Sequence, residues 1–363
     1  MKLSLCMIVK NEEDVLARCL ESVKTAVDEI VIVDTGSTDK TREIALRYTD
    51  LVFDEPWQDD FSAARNAAFG KASGDYLLWL DADDVVLPCH LERLLKLKER
   101  LVNENADVAM CRYESGVIFW RERILRNCPS ARWVGHVHEC ISPFGKLIRD
   151  DFTVTHLSSD KERGTRNLHI YQKWRAKENF GSRDLFYYGR ELYYNKLYTE
   201  SIAVLEEMLR GDGWYVNKIE ACKILAGCYS AKGDGKATLG ALFQSFCYGL
   251  PRGGICHAIA RELQNENKLR EAIYWYEAAL ACPDFSCEGD FDSPEERTLF
   301  PLLGLVCCHA RLGNTQAALD CHARARALAP QHPSVVHNQT YFEEKGLLPK
   351  QENLQEPSSE SKK

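Results

Sequence analysis

No stretch of this chain approaches the roughly 20 consecutive apolar residues that a bilayer span requires. Its short apolar start runs directly into Asn11-Glu12-Glu13, without the layout of a cleavable signal, and reads as a first strand. An excess of positive charge is also missing: the formal net charge is −8, which argues against nucleic acid as the main partner. No C-x-x-C pair occurs among the fifteen cysteines, an odd and scattered set that includes Cys222, Cys228, Cys307 and Cys308 within apolar helical patterns. They read as reduced core residues of a cytoplasmic protein rather than as a disulfide framework or zinc site. What is present is an ordinary globular composition, 45% hydrophobic and 28% charged, over 363 residues. That length accommodates two domains.

The two halves differ in period. Residues 3–9, 30–33, 51–53 and 76–80 form short apolar, largely β-branched runs, and 12–24, 39–48 and 61–72 carry helical spacing between them, with Ser37 or Thr38 placed to cap the second helix. Strand–helix alternation with short loops predicts an α/β, doubly wound, mostly parallel sheet whose ligands bind beyond the carboxyl ends of the strands. From about Asp184 helix follows helix. The segments TESIAVLEEML, GKATLGALFQS, REAIYWYEAAL and TQAALDCHARA align at Ser201, Ala237, Ala272 and Ala318, spaced 36, 35 and 46 residues, and the last interval holds the acidic insertion CEGDFDSPEER. Pro251, Pro283 and Pro330 follow three of the four. A period near 34 residues with a small residue early in the second helix resembles the tetratricopeptide repeat, an all-α stack of helix pairs. The expected division is 1–165 for the α/β domain, 166–183 as a linker, 184–345 for the repeats and 346–363 as a disordered tail. Tyr187, Tyr188, Tyr193, Tyr194, Trp275 and Tyr276 are expected to pack between helices.

One pattern points to chemistry. Trp79-Leu80-Asp81-Ala82-Asp83-Asp84 ends an apolar strand in carboxylates. On extended backbone alternate side chains share a direction, so Asp81 and Asp83 can reach one ion. Mg²⁺ and Mn²⁺ prefer oxygen ligands and combine carboxylates with substrate phosphates. An isolated D-x-D more often caps the next helix, so the surrounding sequence decides its meaning.

SLCMIVKNEE, EIVIVDTGSTDKT and DDFSAARNAAFGKASGDYLLWLDADD, in this order and spacing, resemble glycosyltransferase family 2. With RERILRN, RWVGHVHE, VTHL and the repeats, the chain is similar to repeat-bearing members, among them bacterial transferases that glycosylate cysteine or serine of bacteriocin peptides. The resemblance implies a GT-A fold, inversion at the anomeric carbon, and a divalent metal and nucleotide sugar held at the D-x-D. By the same resemblance Asp34 bonds the nucleotide base (a carboxylate accepts well from the imide of uracil, hence a UDP-sugar) and Arg65 lies near the nucleotide. His156 completes the metal site with Asp81 and Asp83. Just beyond it, Lys161, Arg163 and Arg166 are candidates to cover the pyrophosphate. Met7 and Lys10 depart from the threonine and tyrosine that many members pack on the base.

Glu139, in Gly135-His136-Val137-His138-Glu139, stands where the family has its acceptor-side base, with His138 as the alternative. If the strand alternation continues, His136 and His138 share one face and Glu139 takes the other. The expected activity is metal-dependent transfer of a sugar to a peptide or protein presented by the repeats. A lipid phosphate or polysaccharide acceptor, and a non-catalytic repeat scaffold, stay open as alternatives, as does a homodimer.

Overall fold

The computed structural model describes residues 1–116, 118–157, 164–285, 289 and 291–349. The chain divides into two compact units, Met1–Leu197 and Tyr198–Lys363. The expected tail falls largely outside the described residues.

The front unit begins with β1 (Leu3–Val9), α1 (Leu16–Val23), β2 (Glu29–Asp34), α2 (Thr41–Ala45), β3 (Val52–Asp54), α3 (Phe61–Lys71) and β4 (Tyr76–Trp79). The four strands pair in parallel in the order β3-β2-β1-β4. A strand buried on both faces must be apolar throughout, and β1 is: Leu3, Leu5, Met7 and Val9 face the core that holds Leu16 and Leu20. Cys6 faces the opposite core, with Trp79 and Trp133. Gly74 lets the chain enter β4 against β1, since a Cβ there would lie 2.5 Å from Ser4 Oγ.

The sheet continues through β5 (Asp84–Val85), α4 (Pro88–Asn103), β6 (Val108–Glu114), β7 (Ile118–Arg126), the hairpin β8 (Trp133–Val134) and β9 (Cys140–Ile141), and β10 (Leu147–His156). The eight-stranded order is β3-β2-β1-β4-β7-β6-β10-β5, with β7 antiparallel to both neighbours and β10 parallel to β6. The expected mostly parallel α/β sheet is therefore present with an antiparallel insertion. Neither Ser37 nor Thr38 caps α2. Ser37 Oγ instead accepts from the Asn11 amide at 3.0 Å, and Asp39 Oδ1 takes the Thr41 amide at 2.9 Å.

The expected linker over 166–183 is corrected: α5 (Arg166–Arg175) is helical and buries Leu168, Ile170 and Tyr171. The next helix, α6 (Ser182–Tyr194), counted in the sequence as the first of the repeats, also belongs to the front unit. Apolar contacts explain both: Tyr171, Phe180 and Tyr188 form one aromatic cluster, and Tyr171 Oη donates to the Val137 carbonyl at 3.1 Å.

The described residues of the second unit form helices and no strand: α7 (Tyr198–Arg210), α8 (Tyr215–Ala231), α9 (Gly235–Gln244), α10 (Gly253–Asn265), α11 (Leu269–Ala281), α12 (Leu299–Arg311), α13 (Thr315–Leu328) and α14 (Pro333–Glu344). Alternate helices share one buried register at positions one, five and eight: Ser201, Leu205, Met208; Thr238, Leu242, Ser245; Ala272, Tyr276, Ala279; Ala318, His322, Ala325. This shifts one sequence alignment by a residue, because Thr238 rather than Ala237 is buried early in α9. The small residues permit close approach between helices. Gly304 of α12 does the same, since a Cβ there would lie 2.2 Å from the Tyr276 ring. Of the aromatics expected in the core, Tyr276 is fully buried, whereas Tyr194 is exposed. Every described cysteine is a free thiol.

Candidate active site

The carboxyl ends of β1, β2 and β4, with the end of β10 and the loop before β9, line a cavity of about 770 Å³ in the front unit. Lys10, Thr35, Trp57, Asp81, Asp83, Arg121, His138, Glu139, His156 and Arg166 all contribute to its wall.

After β4 the backbone turns, with the Asp84 amide bonded to the Asp81 carbonyl at 3.1 Å. The turn changes which carboxylates converge. Asp84, expected only as the third member of the motif, is fully buried. Its Oδ2 accepts from the Asp81 amide at 3.0 Å and from Arg123 at 3.2 Å, and its Oδ1 accepts from Tyr113 Oη at 2.9 Å. His156 Nδ1 lies 3.2 Å from Asp84 Oδ1 and 3.4 Å from Asp83 Oδ1. One ligand atom each from Asp83, Asp84 and His156 lies within 4.8 Å of the other two. Asp81 is engaged differently: its Oδ1 takes a hydrogen bond from Arg65 at 2.8 Å. The extended spacing that pairs Asp81 with Asp83 thus gives way to a turn that brings Asp83, Asp84 and His156 together.

Arg65 links the two ends of the site. From α3 its Nε donates to Glu139 at 2.6 Å while its other arm holds Asp81, and its guanidinium lies 4.8 Å from the Trp133 ring and 5.2 Å from Trp79. Burial alone would lower its pKa, but Asp81 and Glu139 raise it, so the cation is permanent. Burial acts to raise the Asp81 carboxyl, yet Arg65, with Arg123 and Arg121, holds it below the ordinary carboxylate value. Asp83 goes the other way, raised by burial and by the Asp81 and Asp84 charges. The Asp84 hydrogen bond, with the other two carboxylates, raises His156.

The 135–139 segment is a loop, which corrects the expected alternation. Gly135 has φ of 93° and His138 of 51°, both left-handed, so the pleat ends and each side chain takes its own direction. His136 stacks on Trp174 at 3.9 Å between Asp60 Oδ2 (2.8 Å) and Glu178 Oε1 (2.7 Å). His138 stacks on Tyr187 at 4.4 Å, with Nε2 3.0 Å from Glu191 Oε1. Glu139 alone turns to Arg65.

Asp34 is buried, and its Oδ1 accepts from the Gly36 and Ser37 amides at 3.0 and 2.8 Å, so it holds the turn after β2 beside the cavity-lining Thr35. Met7 is in the core, while Lys10 lines the cavity. Arg166 lies over the Phe61 ring at 4.9 Å; Lys161 and Arg163 fall outside the described residues. Sequence reasoning missed Glu191, Asn167, Trp57, Arg121 and the buried Arg123. The alternating arginines of Trp120-Arg121-Glu122-Arg123 were the available signal, because a strand in a sheet covered on both faces must pair the charges it brings inside.

The model of the family described as glycosyl transferase family 2 matches residues 4–167, which contain every cavity-lining side chain named above. Those residues form a family 2 glycosyltransferase domain. A TPR repeat-containing protein of Synechococcus elongatus is 39% identical over 145 residues, covering 39% of this chain and 35% of that protein. The glycosyltransferase SunS of Bacillus phage SPbeta is 26% identical over 219 residues, covering 56% of this chain and 52% of its own. The chain thus spans about a third to a half of the length of these curated relatives. Among solved structures, the type IV pilus biogenesis factor PilW matches with a TM-score of 0.39 at 17% identity, covering 48% of this chain and 74% of PilW. Glucosyl-3-phosphoglycerate synthase from Mycobacterium tuberculosis, in complex with Mn²⁺ and UDP-glucose, matches with a TM-score of 0.28 at 23% identity, covering 32% of this chain and 44% of that one. No described helix is long and apolar enough to cross a membrane.

Proposed function

We propose that this chain is an inverting, metal-dependent glycosyltransferase that moves a sugar from a nucleoside diphosphate to a peptide or protein side chain. The observation that carries the reading is the meeting of Asp83, Asp84 and His156 inside a family 2 domain, with Asp83 and His156 on the cavity wall and Asp84 buried behind them. Two carboxylates and one imidazole fit Mn²⁺ or Mg²⁺, whose remaining positions phosphate oxygens can fill. The cavity volume falls within the range of small-molecule sites. When bound, the metal neutralises charge on the departing diphosphate.

The chain's own residues do the rest. Arg65 fixes Asp81 and Glu139 with respect to each other, so the donor side and the acceptor side share one rigid support. Arg121 and Arg166, both on the cavity wall, are placed for the phosphates, and the Asp34 turn borders the nucleotide end. The tetratricopeptide-like unit is assigned to acceptor capture, since stacked helix pairs offer a long surface for an extended peptide. The retained carboxylates speak against a non-catalytic scaffold. The test is incubation of the purified chain with a panel of UDP-, GDP- and dTDP-sugars, with Mn²⁺ or with EDTA. Metal-dependent release of one nucleoside diphosphate supports the reading, and release from none of them refutes it.

A further inference from the structure

Glu139 and His138 are neighbours in sequence, yet the structure gives them different work. Glu139 is spent on Arg65: a 2.6 Å ion pair ties it to a cation that also holds Asp81 at 2.8 Å. Taking up a proton there would break the support that joins the two sides of the site. His138 is arranged otherwise. It lines the cavity, its ring is clamped against Tyr187, and the carbonyl of its left-handed backbone accepts from Arg183 at 2.9 Å. Strained backbone held in this way by its surroundings is characteristic of functional positions. Its Nε2 meets Glu191, which also accepts from Asn167 of α5 at 3.5 Å.

We propose that His138, oriented by Glu191 of α6, is the base that takes the acceptor's proton, and that Glu139 is a positioning residue. This rests on the glycosyltransferase reading above. An ionised carboxylate only accepts hydrogen bonds, so Nε2 carries the ring proton and Nδ1 keeps its lone pair. The acceptor heteroatom attacks the anomeric carbon as the bond from that carbon to the diphosphate oxygen breaks. The acceptor's proton passes to Nδ1, the electron pair leaves with the nucleoside diphosphate, and the imidazolium then returns the proton to water. Donor sugar and acceptor become glycosylated acceptor, nucleoside diphosphate and one proton. The groups facing His138 are Glu191, Arg190, Arg183 and Tyr187 from α6 and Glu139 from its own loop. Burial and the Arg190 charge keep the imidazole below the ordinary histidine value, although Glu191 opposes them, so it is neutral at physiological pH and can accept a proton. Glu191 is itself held below the usual glutamate value by His138, against burial.

The probe is UDP-glucose with Mn²⁺, or whichever donor the panel selects, with water as acceptor. His138→Asn is expected to cut turnover by roughly 10²–10⁴ while nucleoside diphosphate affinity stays within a few-fold. Glu191→Gln is expected to lower turnover by roughly tenfold or more and to move the acid limb of the rate profile to lower pH, because a negative charge beside the ring is gone. A merely structural Glu191 would leave that limb in place. Independently of activity, ¹⁵N histidine spectra at pH 7.5, assigned by the signal missing in His138→Asn, are expected to show a neutral ring protonated at Nε2. An imidazolium, an Nδ1–H tautomer, or wild-type turnover in His138→Asn would overturn the assignment. Absence of any nucleoside diphosphate binding by the wild type would instead sink the glycosyltransferase reading.

Discussion

The two units bury charge in different places: the second pairs Lys223 with Asp292 and Glu296, whereas the first gathers its buried charge near the carboxyl ends of its strands. The front unit buries Asp34, Arg65, Asp84, Arg123 and Glu191, each tied to named partners, and Arg65 also lines the cavity. The second unit stacks its helices on repeated small and apolar positions, Ser201, Ala272, Ala279, Ala318 and Ala325 among them. Buried charge is costly unless fully paired, and a hydrophobic core of similar volume is at least as stable. A unit that concentrates such charge at the carboxyl ends of its strands is organised for chemistry. One that spreads small residues along a repeat is organised for surface.

The sharpest way to break this contrast is at the turn after β4. Asp83→Ala removes a half-buried, cavity-lining side chain whose ionic partner is His156, so the fold should persist. Mn²⁺-dependent nucleotide binding is expected to weaken by roughly a hundredfold or more, read by calorimetric titration. Asp84→Ala differs, because it also strands the fully buried Arg123, and its melting temperature should fall along with binding. In the second unit the matching lesion is Tyr276→Ala, which empties the space against Gly304 and is expected to cost about 3–5 kcal/mol by analogy with other buried aromatics. Urea unfolding should report that loss while nucleotide binding holds in whatever fraction remains folded.

The boundary between the units supplies a third test. A fragment of residues 1–197 retains α6 with Glu191 and Arg183, whereas 1–173 removes them and cuts into α5. The longer fragment is expected to hydrolyse the donor and the shorter one to fail, even if it still binds nucleotide. Equal turnover by both would show that α6 belongs with the repeats in function as well as in sequence. A smaller effect is expected from Glu139→Gln: turnover falls by roughly tenfold as Arg65 loses one of its two anions, and the acid limb shifts less than in Glu191→Gln.

The last effect is one of pH. In the second unit burial, with the Arg261 and Lys223 charges, lowers His257 to about 4. A histidine depressed on folding contributes stability above its unfolded pKa of about 6.5 and loses it as pH falls toward the folded value. The melting temperature of the second unit should therefore decline between pH 6.5 and about 4, and His257→Gln should flatten that decline.

The strand–helix alternation was legible in the sequence because β1, β2 and β4 are buried on both faces and must be apolar. The repeats were legible because each helix pair meets the same neighbours. The turn after β4 and the left-handed His138 were not, since both depend on hydrogen bonds from elsewhere: Arg123 and Tyr113 on Asp84, and Arg183 on the His138 carbonyl. Glu191 was hidden for a related reason. It lies on a helix whose period matches the repeats, and only tertiary packing assigns that helix to the front unit.

The proposed activity depends on a divalent metal, held by Asp83, Asp84 and His156, that anchors a nucleoside diphosphate in the front cavity. Calorimetric titration of the full chain with UDP, GDP and dTDP tests it most directly, each in Mn²⁺ and in EDTA, repeated with His156→Ala. Binding of one nucleotide is expected in Mn²⁺, disappearing with EDTA and weakening strongly in His156→Ala. Equal affinity with and without metal, or no effect of the histidine change, would contradict it.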